Sequence, residues 1–267
     1  MKRPIHRLIF TAFLPILAGC TTVPITGRKQ LNLVSDSEVL SLSDQSYNTY
    51  VTSSTISSDK TNTALVVRCG TNLKNAVVKY FADQGQSSTL DGYEWKFALI
   101  KNSEANAFCL PGGKIVVYEG ILPYTVNETG LAVVLGHEVA HAIAKHSNER
   151  ISREALVQMG GNILSATVSG KSTYTQELIA TVYGLGSNYG VMLPFSRKQE
   201  LEADKLGLIF MAMAGYDPSE AIAFWTRMSS GSSSSTPELM STHPSDATRI
   251  AQIEAVLPEV MSTYYKK

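Results

Sequence analysis

A chain of 267 residues, 44% hydrophobic and 17% charged, is long enough for one catalytic domain with a sizeable core and shows no collagen-like or disordered bias. Lys plus Arg and Asp plus Glu each number 23, and the first nineteen residues hold three of the bases and no acid, so the remainder carries an acidic excess of three. That balance lacks the clustered basic excess of a nucleic-acid binder and excludes nucleic acid as an expected partner.

At the N-terminus, Lys2, Arg3 and Arg7 precede the apolar run Leu8–Ala18, which is too short to span a bilayer of ~30 Å and has the form of a secretory signal. It ends in Leu17-Ala18-Gly19-Cys20, which resembles the bacterial lipobox, whose cysteine is acylated. The expected organisation is a signal peptide over 1–19, a lipidated tether over 20–34 with Cys20 as the lipidation site, and a single domain over 35–267. Thr21 stands where an inner-membrane retention signal commonly has Asp. The expected location is therefore the bacterial cell envelope, anchored by lipid in the outer membrane and facing the periplasm. With Cys20 acylated, Cys69 and Cys109 remain as a pair for which an oxidising compartment permits a disulfide, two buried free thiols being the alternative. Leu206–Gly215 is apolar but only about half of spanning length.

Ser35-Asp36-Ser37-Glu38 has the form of a capping box, and a helix is expected from there to about Val51. Ser53–Thr63 is polar and turn-like. Leu65, Cys69, Leu73, Val77 and Tyr80 recur at helical spacing and predict a second helix. The period then changes: Tyr93–Leu99 alternates as a half-buried strand, and Asn106–Leu110 and Lys114–Tyr118 are two further strands joined by Pro111-Gly112-Gly113. From Asn127 the patterning is helical. Asp217-Pro218-Ser219-Glu220 should open one helix, Ser229–Pro237 reads as a serine-rich surface loop, and Pro244–Leu257 as the last substantial helix. Helices, a small sheet and more helices predict an α+β domain, mainly helical.

The chemistry centres on His137-Glu138-Val139-Ala140-His141, set among Leu131, Val134, Leu135, Ala142 and Ile143. Histidines four apart share one face of a helix, about one turn (~5–6 Å) apart, so both imidazoles can point at a single zinc ion. Glu138 is rotated by about 100° from His137, within reach of a water at the metal without being a ligand. His146, nine residues after His137, should face elsewhere and be structural. A catalytic zinc wants three protein ligands and an open position. Glu200 in Arg197-Lys198-Gln199-Glu200-Leu201-Glu202-Ala203-Asp204 can be the third, with Asp204 one turn on as an acceptor for a histidine N–H; Glu202 competes as ligand but has no acid four residues after it.

Asn106-Ala107-Phe108, Leu110-Pro111-Gly112-Gly113-Lys114-Ile115, His137–His141, Phe195–Asp204 and Thr242-His243-Pro244 to Arg249 together resemble the CaaX prenyl protease and HtpX family of zinc peptidases, and more closely its soluble bacterial lipoprotein branch, whose opening Val23–Leu31 is also similar. The resemblance implies a zincin-like metallopeptidase domain of gluzincin type, with a three- to four-stranded sheet bordering the active-site cleft. It further implies one Zn2+ per chain held by His137, His141 and Glu200, with Glu138 as base and Asp204 orienting a ligand. Asn106, Ala107 and Phe108 are implied to lie on an exposed strand that binds a peptide substrate by main-chain pairing. His243 admits three readings: donor to the oxyanion, occupant of the open metal position in a latent enzyme, or cap of the following helix. Arg249 is expected to anchor that helix by a salt bridge. The expected activity is metalloendopeptidase action on misfolded or damaged envelope proteins; the competing class is an envelope chaperone or scaffold that keeps zinc and cuts rarely.

Overall fold

The computed structural model describes residues 20–161, 196–230, 237–243 and 247–266, without the side chains of 155–161 and 247. The signal segment, Phe195, Pro244 and most of the serine-rich loop lie outside the described residues.

Alternating apolar residues build a three-stranded sheet with two dry faces. Its strands are β3 (Lys96–Ile100), β4 (Ala107–Leu110) and β5 (Lys114–Tyr118), in the order β3-β5-β4. β5 runs parallel to β3 and antiparallel to β4, with Ala107 opposite Val117 and Leu110 opposite Lys114. Leu99, Ala107, Cys109, Ile115 and Val117 face the larger core, where α2 (Lys60–Asp83) and α4 (Glu128–Ile143) pack. Phe108, Leu110, Val116 and Tyr118 face a second core with Val39 and Leu42 of α1 (Asp36–Ser53). β4 and β5 are thus buried on both faces, while β3, the strand whose alternation predicted half-burial, keeps Lys96 and Phe97 partly exposed. The β4–β5 turn depends on Gly112 and Gly113, both at φ above +80°, where other residues are strained.

The remaining α-helices among the described residues are α3 (Leu122–Thr125), α5 (His146–Gly161), α6 (Arg197–Met213), α7 (Glu220–Ser230), α8 (Glu238–Thr242) and α9 (Ala247–Thr263). Their starts follow local chemistry. Asp59 accepts from the Asn62 N–H at 2.9 Å to open α2, and Asn127 from the Gly130 N–H at 3.0 Å to open α4. The capping box expected at Ser35 does not form; the Ser35 and Ser37 hydroxyls bond each other instead, and the reciprocal box is made by Ser196 and Gln199 at the start of α6. Asp217 organises the turn ahead of α7 by accepting from the Ser219 N–H, so that helix begins three residues after the predicted cap.

Among the described elements, α4 and α6 pack most extensively. Two glycines allow it. A Cβ on Gly136 would lie 2.9 Å from the Gly207 carbonyl oxygen, and one on Gly207 would lie 2.8 Å from the His137 nitrogen. Both obstacles are backbone, which cannot swing aside. Gly207→Ala is therefore expected to destabilise the protein by about 1–3 kcal/mol, the usual cost of overpacking, read as a lower midpoint in urea. An unchanged midpoint would show that the helices can separate freely.

Residues 20–31, expected as part of a loose tether, form a folded hairpin of β1 (Cys20–Thr22) and β2 (Lys29–Leu31). Val23 enters the larger core and Arg28 reaches α5 and α6, so the hairpin is held by packing and charge. Cys20 is exposed, while Cys69 and Cys109 are buried free thiols; the disulfide is not formed. No helix among the described residues is long and apolar enough to cross a membrane.

Candidate metal centre

The close crossing of α4 and α6 brings His137 and His141 against Glu200 and Asp204, and the residue after α8, His243, completes the group. His137, His141, Glu200 and His243 each turn one donor atom inward, all are buried, and these atoms lie within 4.8 Å of one another. Nε2 of His137 is 3.1 Å from Nε2 of His141 and 3.2 Å from Nδ1 of His243. Glu200 lies 3.3 Å from His137, 3.4 Å from His141 and 3.1 Å from His243. Donors placed tetrahedrally at zinc–nitrogen distances of ~2.0–2.1 Å stand about 3.3 Å apart, so the spacing fits a zinc ion at the centre.

The outer hydrogen bonds agree with the fit. Nδ1 of His137 donates to Oδ1 of Asp204 at 2.9 Å, which leaves the Nε2 lone pair facing the cluster. Asp204 is itself gripped by Arg249, from Nε at 2.8 Å and Nη2 at 2.6 Å, and the guanidinium stacks on the Trp225 ring with its carbon 3.4 Å from the centroid. Arg249 thus makes the expected salt bridge, and it reaches the site itself: Nη2 is 3.2 Å from Nδ1 of His137.

Glu138 is 2% exposed; its Oε1 makes no hydrogen bond and lies 3.3 Å from Nε2 of His243. Burial raises its pKa, and the backbone N–H of Cys109 hydrogen-bonds the carboxylate. Burial likewise holds the His141 pKa well below the ordinary imidazole value. For His137 burial acts the same way but is outweighed by the Asp204 and Glu200 carboxylates, which raise its pKa to about 9 in the metal-free protein. Burial also opposes ionisation of Glu200, yet His243 and His141 keep its pKa well below the usual carboxylate value.

Two expectations are corrected. His146 does not face elsewhere: α4 ends at Ile143, the chain turns, and Nδ1 of His146 meets Nδ1 of His141 at 2.8 Å. The helix arithmetic assumed a helix that had already stopped. The strand bearing Asn106, Ala107 and Phe108 is an outer strand of the sheet but not an exposed one, their side chains being 4%, 0% and 4% exposed. Phe108 packs edge-on to Tyr50 and Tyr118, Asn106 Oδ1 accepts from the Ala107 N–H, and the Ala105 carbonyl is taken by the Leu239 N–H of α8 at 3.0 Å. The competition between Glu200 and Glu202 is resolved by helix geometry: two residues apart they point to different sides, Glu200 into the cluster and Glu202 onto His146 and Arg28. Arg28 and Glu149 were not singled out by sequence reasoning. The polar setting of both offered no periodic signal.

A zincin-like metallopeptidase domain is what this α+β frame and donor set define. Residues 72–257 match peptidase family M48, and the chain belongs to that family. It is 40% identical over 174 residues to "Mitochondrial metalloendopeptidase OMA1" of Schizosaccharomyces pombe, covering 64% of this chain and 49% of that protein. It is 27% identical over 246 residues to "Metalloendopeptidase OMA1, mitochondrial" of Homo sapiens, covering 89% and 46%. It is 32% identical over 166 residues to "Beta-barrel assembly-enhancing protease" of Escherichia coli strain K12, covering 58% and 33%. The chain thus spans about half or less of the length of these curated relatives.

Proposed function

We propose that the chain is a zinc metalloendopeptidase of the bacterial envelope, anchored by lipid on Cys20 and acting on misfolded or damaged proteins. The observation that carries this reading is the convergence of four buried donors, within 4.8 Å of one another, beside the Glu138 oxygen that has no hydrogen bond. His137, His141 and Glu200 would hold the ion, whose chemistry there would be to acidify a water and polarise the scissile carbonyl. Asp204 fixes the His137 ring. Glu138 takes the water proton as the oxygen adds to the carbonyl carbon, then delivers it to the departing amine as the carbon–nitrogen bond breaks. Its burial-raised pKa suits a group that must both accept and return a proton. Main-chain pairing of a peptide along the Asn106–Phe108 edge, indifferent to sequence, would require that buried edge to be uncovered and the Ala107 N–H to leave Asn106 Oδ1. Cys20, where the lipid would attach, is exposed at the end of the hairpin. The outer membrane, facing the periplasm, is the location this reading retains.

The described state is closed. His243 occupies the fourth corner of the donor set, and α8 covers the Ala105 end of the strand edge. Of the three readings of His243, occupancy of the open position in a latent enzyme is the one this geometry favours. A resting enzyme of this kind also accommodates a chaperone-like role between rare cleavages.

Elemental analysis alongside casein cleavage, with and without a chelator, tests the proposal. One zinc per chain is expected, with chelation abolishing cleavage and added zinc restoring it. Wild-type protein without zinc, or cleavage indifferent to chelation, would overturn it.

A further inference from the structure

Behind His141 lies a chain of buried polar groups that the proposed chemistry does not use. Nδ1 of His141 and Nδ1 of His146 are 2.8 Å apart, and Nε2 of His146 is 3.0 Å from Oε2 of Glu202. Glu202 also accepts from the Thr26 hydroxyl at 2.5 Å and from Nε of Arg28 at 2.6 Å. The other edge of the Arg28 guanidinium grips Glu149 with two bonds, at 3.1 and 2.9 Å. Both carboxylates are buried, their side chains 2% and 6% exposed. Arg28 and Thr26 belong to the N-terminal hairpin, more than a hundred residues away in sequence.

The directions of these bonds are fixed by donor and acceptor capacity. A carboxylate accepts, so the His146 proton resides on Nε2 and its Nδ1 presents a lone pair. His141 must then donate from Nδ1, which leaves its Nε2 lone pair for the cluster 3.1 Å from that of His137. Glu202 is thus the acceptor that sets both tautomers, and Arg28 is the group that holds it in place. A lysine has no planar fork to bridge two carboxylates in this way.

We propose that Arg28 is a positioning residue of the metal site. Through Glu202 and His146 it fixes the orientation and tautomer of His141, making the folded hairpin next to Cys20 part of the active centre. The inference rests on His141 being a zinc ligand. It assigns to the N-terminal segment a role beyond attachment: a hairpin pulled from its seat would remove Arg28 and loosen the ligand.

The test compares wild type, Arg28→Ala, Arg28→Gln and Val23→Ala in the full chain. Zinc affinity is measured by chelator competition and ligand geometry by the visible absorption of the cobalt(II)-substituted protein. Val23→Ala loosens the packing of the same hairpin and leaves Arg28 in place. Both Arg28 variants are expected to bind zinc about 10–100-fold more weakly, as when an outer partner of a ligand is lost, and to shift the cobalt spectrum. Val23→Ala should keep wild-type affinity and spectrum even if it melts lower. Should Arg28→Ala fail to fold, Arg28→Gln, whose shorter amide ends where Nε stood, without the charge or the fork that reaches Glu149, decides the matter. Wild-type affinity and spectrum in a folded Arg28 variant would overturn the inference and leave the metal site standing. Equal losses in Val23→Ala and the Arg28 variants, with hydrogen exchange showing the hairpin of Val23→Ala still seated, would also overturn it. Wild type that binds no zinc, or a His141→Ala variant that binds it normally, would instead overturn the reading on which the inference rests.

Discussion

Glu138→Gln is expected to retain one zinc per chain and to lose peptide hydrolysis by about 10²–10⁴-fold, the range for removal of a general acid–base group. The amide has the shape of the carboxyl but cannot take a proton from water. Folding should not suffer. Glu138 is buried with one oxygen unbonded, and burial raises its pKa, so ionisation there opposes folding rather than assists it. The melting temperature is expected to match or slightly exceed that of wild type. His137→Ala, by contrast, should lose zinc and cleavage together. Casein cleavage, elemental zinc and a thermal melt on the same preparations separate these outcomes. Wild-type turnover in zinc-loaded Glu138→Gln would remove Glu138 from the chemistry. The same variant also divides enzyme from scaffold: if it restores the phenotype of a deletion strain fully, cleavage is not the principal role.

How much of this could be seen in the sequence depended on the range of the physics involved. Helical and strand periods are local, and α2, β5 and the general course of α4 and α6 were legible from them. The i, i+4 pairs His137/His141 and Glu200/Asp204 were legible for the same reason, since one helical turn brings them to one face. What sequence spacing cannot convey is the point where a helix stops. His146 was misplaced because α4 ends three residues before it, and the turn, with Lys145 at φ +53°, swings the ring back onto His141. The burial of β4 on both faces was hidden because α1, which covers its outer side, lies more than fifty residues upstream. Gly136 and Gly207 carry no chemistry, and only the crossing of two distant helices shows why neither has a side chain. The largest gap was Arg28. A single arginine in a polar segment gives no pattern, and its two carboxylate partners become neighbours only when α5 and α6 are packed together. Ser35 shows the opposite failure: the pattern was local and correct in form, but the Ser37 hydroxyl was a nearer partner.

His243→Ala is expected to raise cleavage of an unfolded substrate, by roughly 10–100-fold if the closed state holds about 90–99% of the molecules. In that state the imidazole does two things. Its Nδ1 occupies the fourth corner of the donor set, and its Nε2 stands 3.3 Å from Oε1 of Glu138, where a reacting water would need to be. Deleting the ring vacates both places while His137, His141 and Glu200 remain, so zinc content should stay at one per chain. If His243 served instead to stabilise the oxyanion, its loss would lower the rate by about 10²–10³-fold at unchanged zinc content. A second variant keeps the two cases apart without touching the imidazole. Leu239 of α8 is buried, and its N–H holds the Ala105 carbonyl at the strand edge. Leu239→Ala weakens the docking of α8 by the loss of a buried side chain, favouring the open state while His243 is retained. Latency requires this variant to cleave faster than wild type, whereas a purely catalytic His243 gives no gain. A rise in both variants with zinc retained would identify the α8 segment as the element that opens; a fall in both would make His243 part of the chemistry and its present position the working one.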